Sequence, residues 1–163
     1  MADLSSIKPC MLMYDIPERA PRGKLPIPNP SNRLRRCAIR LQLSVWVIPE
    51  GAIPYSVMNF IGENGGTWDT VPFATENAES LLKLARTALE RDIKKGVASM
   101  AKSCDTAARL QAEGELSVEE MEDRVSKAEK RAQGLLKDLV AAGSLFGISA
   151  NSLPVDASFA AVQ

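Results

Sequence analysis

The clearest pattern in the chain runs from Leu41 to Pro49, where Leu41, Leu43, Val45 and Val47 alternate with Gln42, Ser44, Trp46 and Ile48. A period of two is that of a strand, and the β-branched and aromatic second half strengthens it until Pro49 stops it. Large apolar groups on both faces near Trp46 predict a central strand covered on at least one side. Upstream, residues 9–16 predict a buried strand that Pro17 ends, with Asp15 at its carboxyl end. Between the two, Pro17, Pro21, Pro26, Pro28 and Pro30, with Gly23 among them, exclude helix and central strand. That segment is an extended loop, long enough to act as a binding segment. Ser31 or Asn32 then caps a short helix starting at Arg33, with Leu34, Cys37 and Ala38 inward and Arg33, Arg36 and Arg40 grouped outward.

Beyond Pro49, a proline-initiated helix runs from Pro54 to about Glu63. Val57, Met58, Phe60 and Ile61 form its apolar side, and Asn64-Gly65-Gly66 stops it. Thr67 to Ala74 predicts a third strand, with Pro72 marking an edge or a bulge. Strand, helix, strand, helix, strand with right-handed crossovers leaves both helices on one sheet face, most of a ferredoxin-like sandwich. From Asn77 the period changes. Leu82, Leu89, Ile93, Val97, Met100, Cys104 and Ala107 form a helical stripe, Gly114 breaks it, and Ser117-Val-Glu-Glu120 is a capping box. Val118, Met121, Val125, Ala128, Ala132, Leu135, Leu139, Ala142 and Phe146 then recur at spacings of three and four, a heptad stripe of the coiled-coil kind. Two such helices fold back as a hairpin, and its alanine-rich seam buries so little area that it needs the sheet or a second chain for support. The expected fold is therefore α/β in the broad, α+β sense. A ferredoxin-like sandwich over 9–75 carries the basic loop 17–30, and an antiparallel helical hairpin spans 77–147. A tail over 148–163 is expected either to be mobile or to dock only by Val155 and Phe159.

Composition narrows the chemistry. The 163 residues are 45% hydrophobic and 25% charged, ordinary for a globular chain and enough for one real core or a domain with an appendage. Twenty basic and twenty acidic residues cancel, so global electrostatics favour neither nucleic acid nor membrane. Locally they do not cancel: Arg19, Arg22, Lys24, Arg33, Arg35, Arg36 and Arg40 fall in a stretch without a carboxylate, while acids gather from Glu113 to Asp123. Cys10, Cys37 and Cys104 form no CxxC and fit buried thiols of a reducing compartment. The amino terminus has no signal-peptide pattern and no apolar run approaches the ~20 residues of a bilayer span, so a cytoplasmic protein without membrane contact is expected. The chain has no histidine, which excludes Ser-His-Asp and Cys-His catalysis and histidine metal ligation. No nucleotide fingerprint or phosphate-binding loop is present.

Tyr14-Asp15-Ile16, the arginine-rich segment and Gln42-Leu-Ser-Val-Trp-Val47 together resemble two related families. One is the small CRISPR-associated adaptation nuclease, a ferredoxin-like dimer whose first strand ends in Tyr-Asp-Ile. The other is the amino-terminal domain of chromate-resistance regulators, whose second strand reads nearly residue for residue as Leu41 to Pro49. The resemblance spans roughly residues 10–95. It implies a ferredoxin-like fold, a homodimer and, from the nuclease, Asp15 as a metal-binding catalytic aspartate holding Mg²⁺. The loop from Pro17 to Pro30 is longer than in either pattern, the first helix is shorter, and the hairpin has no counterpart in the nuclease.

Three functions follow as expectations. The basic loop and helix, through Arg19, Arg22, Lys24, Arg33, Arg35, Arg36 and Arg40, would position the phosphates of DNA or RNA without reading sequence, in a nucleic-acid-binding or regulatory and assembly protein. The bland alternative is a solvated arginine face pairing with acids of the hairpin. A phosphodiesterase would use Asp15 and Mg²⁺ to activate water, against the plainer role of Asp15 as a strand-end or turn residue. Outside that reading no cofactor is expected. A protein-interaction module would grip a partner through the hairpin. Trp46 and Trp68 are read as sheet core ahead of base-stacking platforms, and Cys37 as a small buried apolar residue.

Overall fold

The computed structural model describes residues 8–16, 31–73 and 77–155. Along the chain lie β1 (Pro9–Asp15), α1 (Ser31–Leu34), β2 (Ile39–Gln42), β3 (Val45–Pro49), α2 (Tyr55–Glu63), β4 (Thr67–Pro72), α3 (Ala78–Ala112) and α4 (Val118–Leu145). The strands form one antiparallel sheet in the order β2-β3-β1-β4. The protein is a mixed α+β structure in which two long helices pack together beside that sheet.

The alternating run at 41–49 is not one strand. Leu43 and Ser44 make a turn, Leu43 is 81% exposed, and Ile39 and Arg40 fold back opposite Val47 and Trp46. No residue in the turn has a positive φ, so it is not the primed turn that Asn-Gly announces, and alternation alone conceals it. An irregularity between Arg40 and Gln42 takes up the mismatch in register. The tip is pinned by β1: Tyr14 N–H donates to Ser44 O at 3.1 Å, and Tyr14 Oη donates to Leu43 O at 3.4 Å. Starting the hairpin at Ile39 also shortens the expected helix at 33–40. Only Ser31–Leu34 is helical, and the chain leaves it through bonds from Cys37 and Ala38 N–H to Leu34 O. Arg40 therefore belongs to a strand, away from the helix face that it was expected to share with Arg33 and Arg36.

Each face of the sheet has its own cover. Cys10, Leu12, Tyr14, Trp46 and Ile48 point to one side, where Leu34 of α1 and Val57 and Ile61 of α2 meet them. The two short helices thus share a face, as the crossover argument requires. Ile39 and Val47 point to the other side and join Leu81, Ala85, Leu89 and Ile93 of α3 with Leu136, Leu139, Ala142 and Phe146 at the end of α4. A fully buried Leu or Ile contributes about 1.5–3 kcal/mol, so this second core is what attaches the hairpin to the sheet. The tail continues it: after a single 3-10 turn at Ala150–Ser152, Leu153 is buried and Val155 packs alongside. Residues 148–155 are thus a docked continuation of the core, anchored by Leu153 as well as Val155. Phe159 and the loop 17–30 lie outside the described residues.

The helices run antiparallel. A Cβ on Gly96 would meet Leu135, and one on Gly143 would meet Leu89, so the register moves back along α4 as it advances along α3. Gly114, at φ +78°, turns the chain between them, and Ser117 and Glu120 form the expected capping box. The stripes shift from expectation. Leu81 takes the core place assigned to Leu82, Leu136 is more buried than Leu135, and Val118 is 56% exposed. In the far half Met100, Ala128 and Ala132 form a thin seam, while near the sheet the expected positions Leu139, Ala142 and Phe146 are buried together with Leu136 and Gly143. Nearer the sheet the seam has to serve two surfaces at once, and a wider stripe wins.

Both sheet edges are blunted. Arg91 of α3 donates to Leu41 O at 3.0 Å and Arg40 O at 2.9 Å on β2. On β4, Phe73 N–H reaches back to Pro9 O, so by alternation the backbone groups of Trp68, Thr70 and Pro72 face outward. Pro72 has no N–H, and Thr70 N–H is taken by Asp69 Oδ1 at 2.7 Å. Among the described residues no helix is long and apolar enough to cross a membrane.

Candidate functional site

Asp15 stands exposed at the end of β1, opposite Thr67 of β4. Directly behind it the chain has no room: a side chain at Gly66 would strike the Asp15 carbonyl oxygen and Ile61. The strand pairing puts Asp69 on the same face, one step along β4, a second carboxylate that linear spacing did not pair with Asp15. Asp69 already accepts the Thr70 N–H. No group of three or more Cys, Asp or Glu able to hold a metal occurs among the described residues.

The arginine segment disperses. Arg33 Nη1 donates to Ser56 O at 3.0 Å, and its guanidinium lies 5.0 Å from the centre of the Phe60 ring, so it spans α1 and α2. Arg36 Nε meets Asp138 Oδ1 of α4 at 2.8 Å. Arg40 Nη2 meets Asp92 Oδ2 of α3 at 3.4 Å, and Asp92 also takes Arg91 Nε at 3.0 Å. Three arginines thus reach three different helices, Arg33 and Arg36 from α1 and the turn after it and Arg40 from β2. The Arg40–Asp92–Arg91 group is the most enclosed, with Asp92 13% exposed. Neither Arg33 nor Arg35 has a carboxylate within ion-pair distance among the described residues, and Arg35 lacks the backbone bond and ring contact that engage Arg33. Arg19, Arg22 and Lys24 lie outside the described residues.

Arg35 points the way to a feature that no single stretch of sequence contains. A groove of about 800 Å³ runs between α3 and α4 in the far half of the hairpin, with Arg35 at one end. Its floor is small and apolar: Gly96, Met100, Ala107, Ala128, Ala132 and Leu135. Its walls carry Lys102 from α3 and Arg124, Lys127 and Arg131 from α4, with Asp138 the one acid among the lining residues. Arg124, Lys127 and Arg131, spaced three and four apart, fall on one helix face. Lys127 is paired with Asp123 at 2.6 Å, and Arg124 helps to hold the Glu120 carboxyl below its ordinary range, after the bonds from Ser117. No carboxylate among the described residues lies within ion-pair distance of Arg35, Lys102, Arg124 or Arg131.

Two of the three hydroxyls in the groove are spent: Ser103 Oγ donates to Ser99 O at 2.9 Å and Thr106 Oγ1 to Lys102 O at 2.7 Å, each closing onto its own helix, which leaves that of Ser99. An anion would therefore be held mainly by charge. Carboxylates gather elsewhere, with Glu129 and Asp105 near enough to Cys104 to join burial in pushing its thiol up. Burial does the same first to Cys10, helped by Glu50, and to Cys37, against a bond to the backbone that lowers it. The thiols stay protonated at neutral pH and are poor nucleophiles. The tryptophans separate: Trp46 is 1% exposed in the core, closed to any base, while Trp68 on β4 is 43% exposed, contrary to its assignment to the core.

The face formed by Arg124, Lys127 and Arg131 was legible on a helical wheel. In the linear charge pattern it is masked by the acidic stretch from Glu113 to Asp123 that precedes it. The opposition of Lys102 and Arg35 required the fold. The chain matches no family model, no curated protein and no solved structure.

Proposed function

We propose that this chain is a nucleic-acid-binding protein that holds the phosphodiester backbone in the groove of its helical hairpin, on a ferredoxin-like scaffold. One observation carries the reading: four cations without an ion-pair partner, Arg35, Lys102, Arg124 and Arg131, converge on one groove from three parts of the chain. Like charges placed together repel, and an exposed cluster of them is favourable only with an anion nearby. A polyanion with regular phosphate spacing satisfies several at once and releases its counterions in doing so. No aromatic side chain lines the groove, so bases would not be stacked there and binding would be indifferent to sequence. The basic segment remains part of this reading, with Arg35 as the residue shared between segment and groove.

The ferredoxin-like assignment rests on the element order β-α-β-β-α-β and the antiparallel strand order, two interlocked split β-α-β units. The likeness of Leu41 to Pro49 to the chromate-resistance regulators points the same way.

The test is binding of labelled single-stranded and duplex oligonucleotides across a salt series. With four cations engaged, the logarithm of affinity falls against the logarithm of salt with a slope of about 3 to 4. Replacing Lys102, Arg124 and Arg131 together by alanine removes most of that slope, while an exposed lysine outside the groove, such as Lys83, changes it little. Absence of binding at low salt, or binding insensitive to salt, sinks the reading.

A further inference from the structure

Resting on the phosphate-binding reading of the groove, we infer that Asp138 and Arg36 form a displaceable lock at its end. Asp138 holds Arg36 in the place that a ligand phosphate takes, and binding recruits Arg36 as an additional cation.

Asp138 is the one acidic side chain in the groove lining, and its partner is the neighbour in sequence of Arg35, which lines the same end. The pair is made through a single contact, Arg36 Nε to Asp138 Oδ1 at 2.8 Å. The terminal nitrogens of Arg36 make no hydrogen bond among the described residues, so the planar fork that suits a phosphate is left open. The Arg36 side chain is 78% exposed and Asp138 22%, so the arginine faces water while the carboxylate sits against the helix. An ion pair this open is weakly held, and a polyanion whose neighbouring phosphates add to the local field competes for it well. The backbone need not move, because Cys37 and Ala38 N–H bonds to Leu34 O fix the turn that carries both arginines. Asp138 would then act as a threshold. An isolated small anion gains too little to displace it, whereas a polyanion already held at Arg131 and Arg35 does so at little further loss.

The test compares the wild-type chain with Asp138→Asn, Arg36→Gln and the double variant. The probes are labelled oligonucleotide, single-stranded and duplex, and inorganic polyphosphate. Asp138→Asn should bind all three more tightly at low salt, by roughly three- to tenfold. Arg36→Gln should bind more weakly, with a salt slope lower by about 0.7–0.9, the share of one phosphate contact. The double variant should lose the gain of Asp138→Asn, since that gain is worth nothing without the arginine. A fully retained gain in the double variant overturns the lock and leaves Asp138 as a plain repulsive charge. Unchanged or weaker binding by Asp138→Asn, in protein whose helical circular dichroism matches wild type, also overturns it. If that variant does not fold, the Arg36→Gln slope decides alone, and an unchanged slope overturns the lock. Failure of the wild type to bind any probe brings down the groove reading and the lock with it. Ordinary wild-type binding with no response to either variant removes the lock only.

Discussion

Single residues carry the junctions of this fold. Gly66 is needed because the turn into β4 presses on the backbone of β1, and the Asp15 carbonyl cannot yield as a flexible side chain would. Gly66→Ala should destabilise by about 2 kcal/mol or more, read as a loss of denaturation midpoint at constant slope. Gly96 meets only the end of Leu135, which can move, so Gly96→Ala should cost far less in the same assay. Trp46 is fully buried, and its Nε1 has no hydrogen-bond partner among the described residues. Trp46→Phe loses area but removes an unsatisfied donor, so it should cost about 1 kcal/mol, against about 3–5 kcal/mol for Trp46→Ala. Truncating Asp92 to Ala leaves Arg40 and Arg91 without their shared carboxylate. Because Arg91 also caps β2, that change should loosen the β2 edge, seen as faster hydrogen exchange at residues 39–42.

At the scale of elements, α4 begins where sequence said it would. Ser117 accepts from Glu120 N–H while Glu120 returns the bond to Ser117 N–H, at 3.2 and 2.9 Å. Ser117→Ala should cost about 1 kcal/mol, visible in thermal melts. Those bonds favour the ionised carboxylate and lower its pKa in the folded protein. Their contribution is therefore complete above the unfolded carboxyl value and is lost as pH falls through the lowered folded one. Acid titration followed by NMR at Glu120 should show the first turn of α4 fraying below the ordinary carboxylate range, and a midpoint at or above it would contradict the geometry. The hairpin of β2 and β3 is the opposite case. Its turn has no glycine, asparagine or proline to announce it, and Leu43 would pass as one more strand residue. Only pairing with β1 and the Tyr14 bonds distinguish a hairpin from a longer strand.

At the scale of the whole molecule, sheet and hairpin share one core. Ile39 and Val47 lie in the same cluster as Leu89, Ile93, Leu136 and Phe146, so the boundary near residue 76 separates patterns of sequence and not independent cores. A fragment ending at residue 76 exposes Ile39 and Val47 and should be insoluble or unfolded, whereas the full chain should melt in one transition seen alike by near- and far-ultraviolet circular dichroism. Local order was written in the chain. A buried run ended by proline placed β1, alternation marked the run that holds β3, the stretch around Pro72 placed β4, proline and glycine punctuated α2, and helical stripes with one capping box placed the two long helices, because each signal acts between residues a few positions apart. Which residues meet is a different matter. Arg33, Arg36 and Arg40 read as one cluster and became three separate stitches once a hairpin turned Arg40 onto a strand. Lys102, Arg131 and Arg35 looked unrelated and came to line one groove. The sequence by itself determined the elements and the chemical groups available. The tertiary structure decided which charges are paired within the chain and which stand without a carboxylate among the described residues, because long-range electrostatic pairing depends on distance across the fold and not on distance along it.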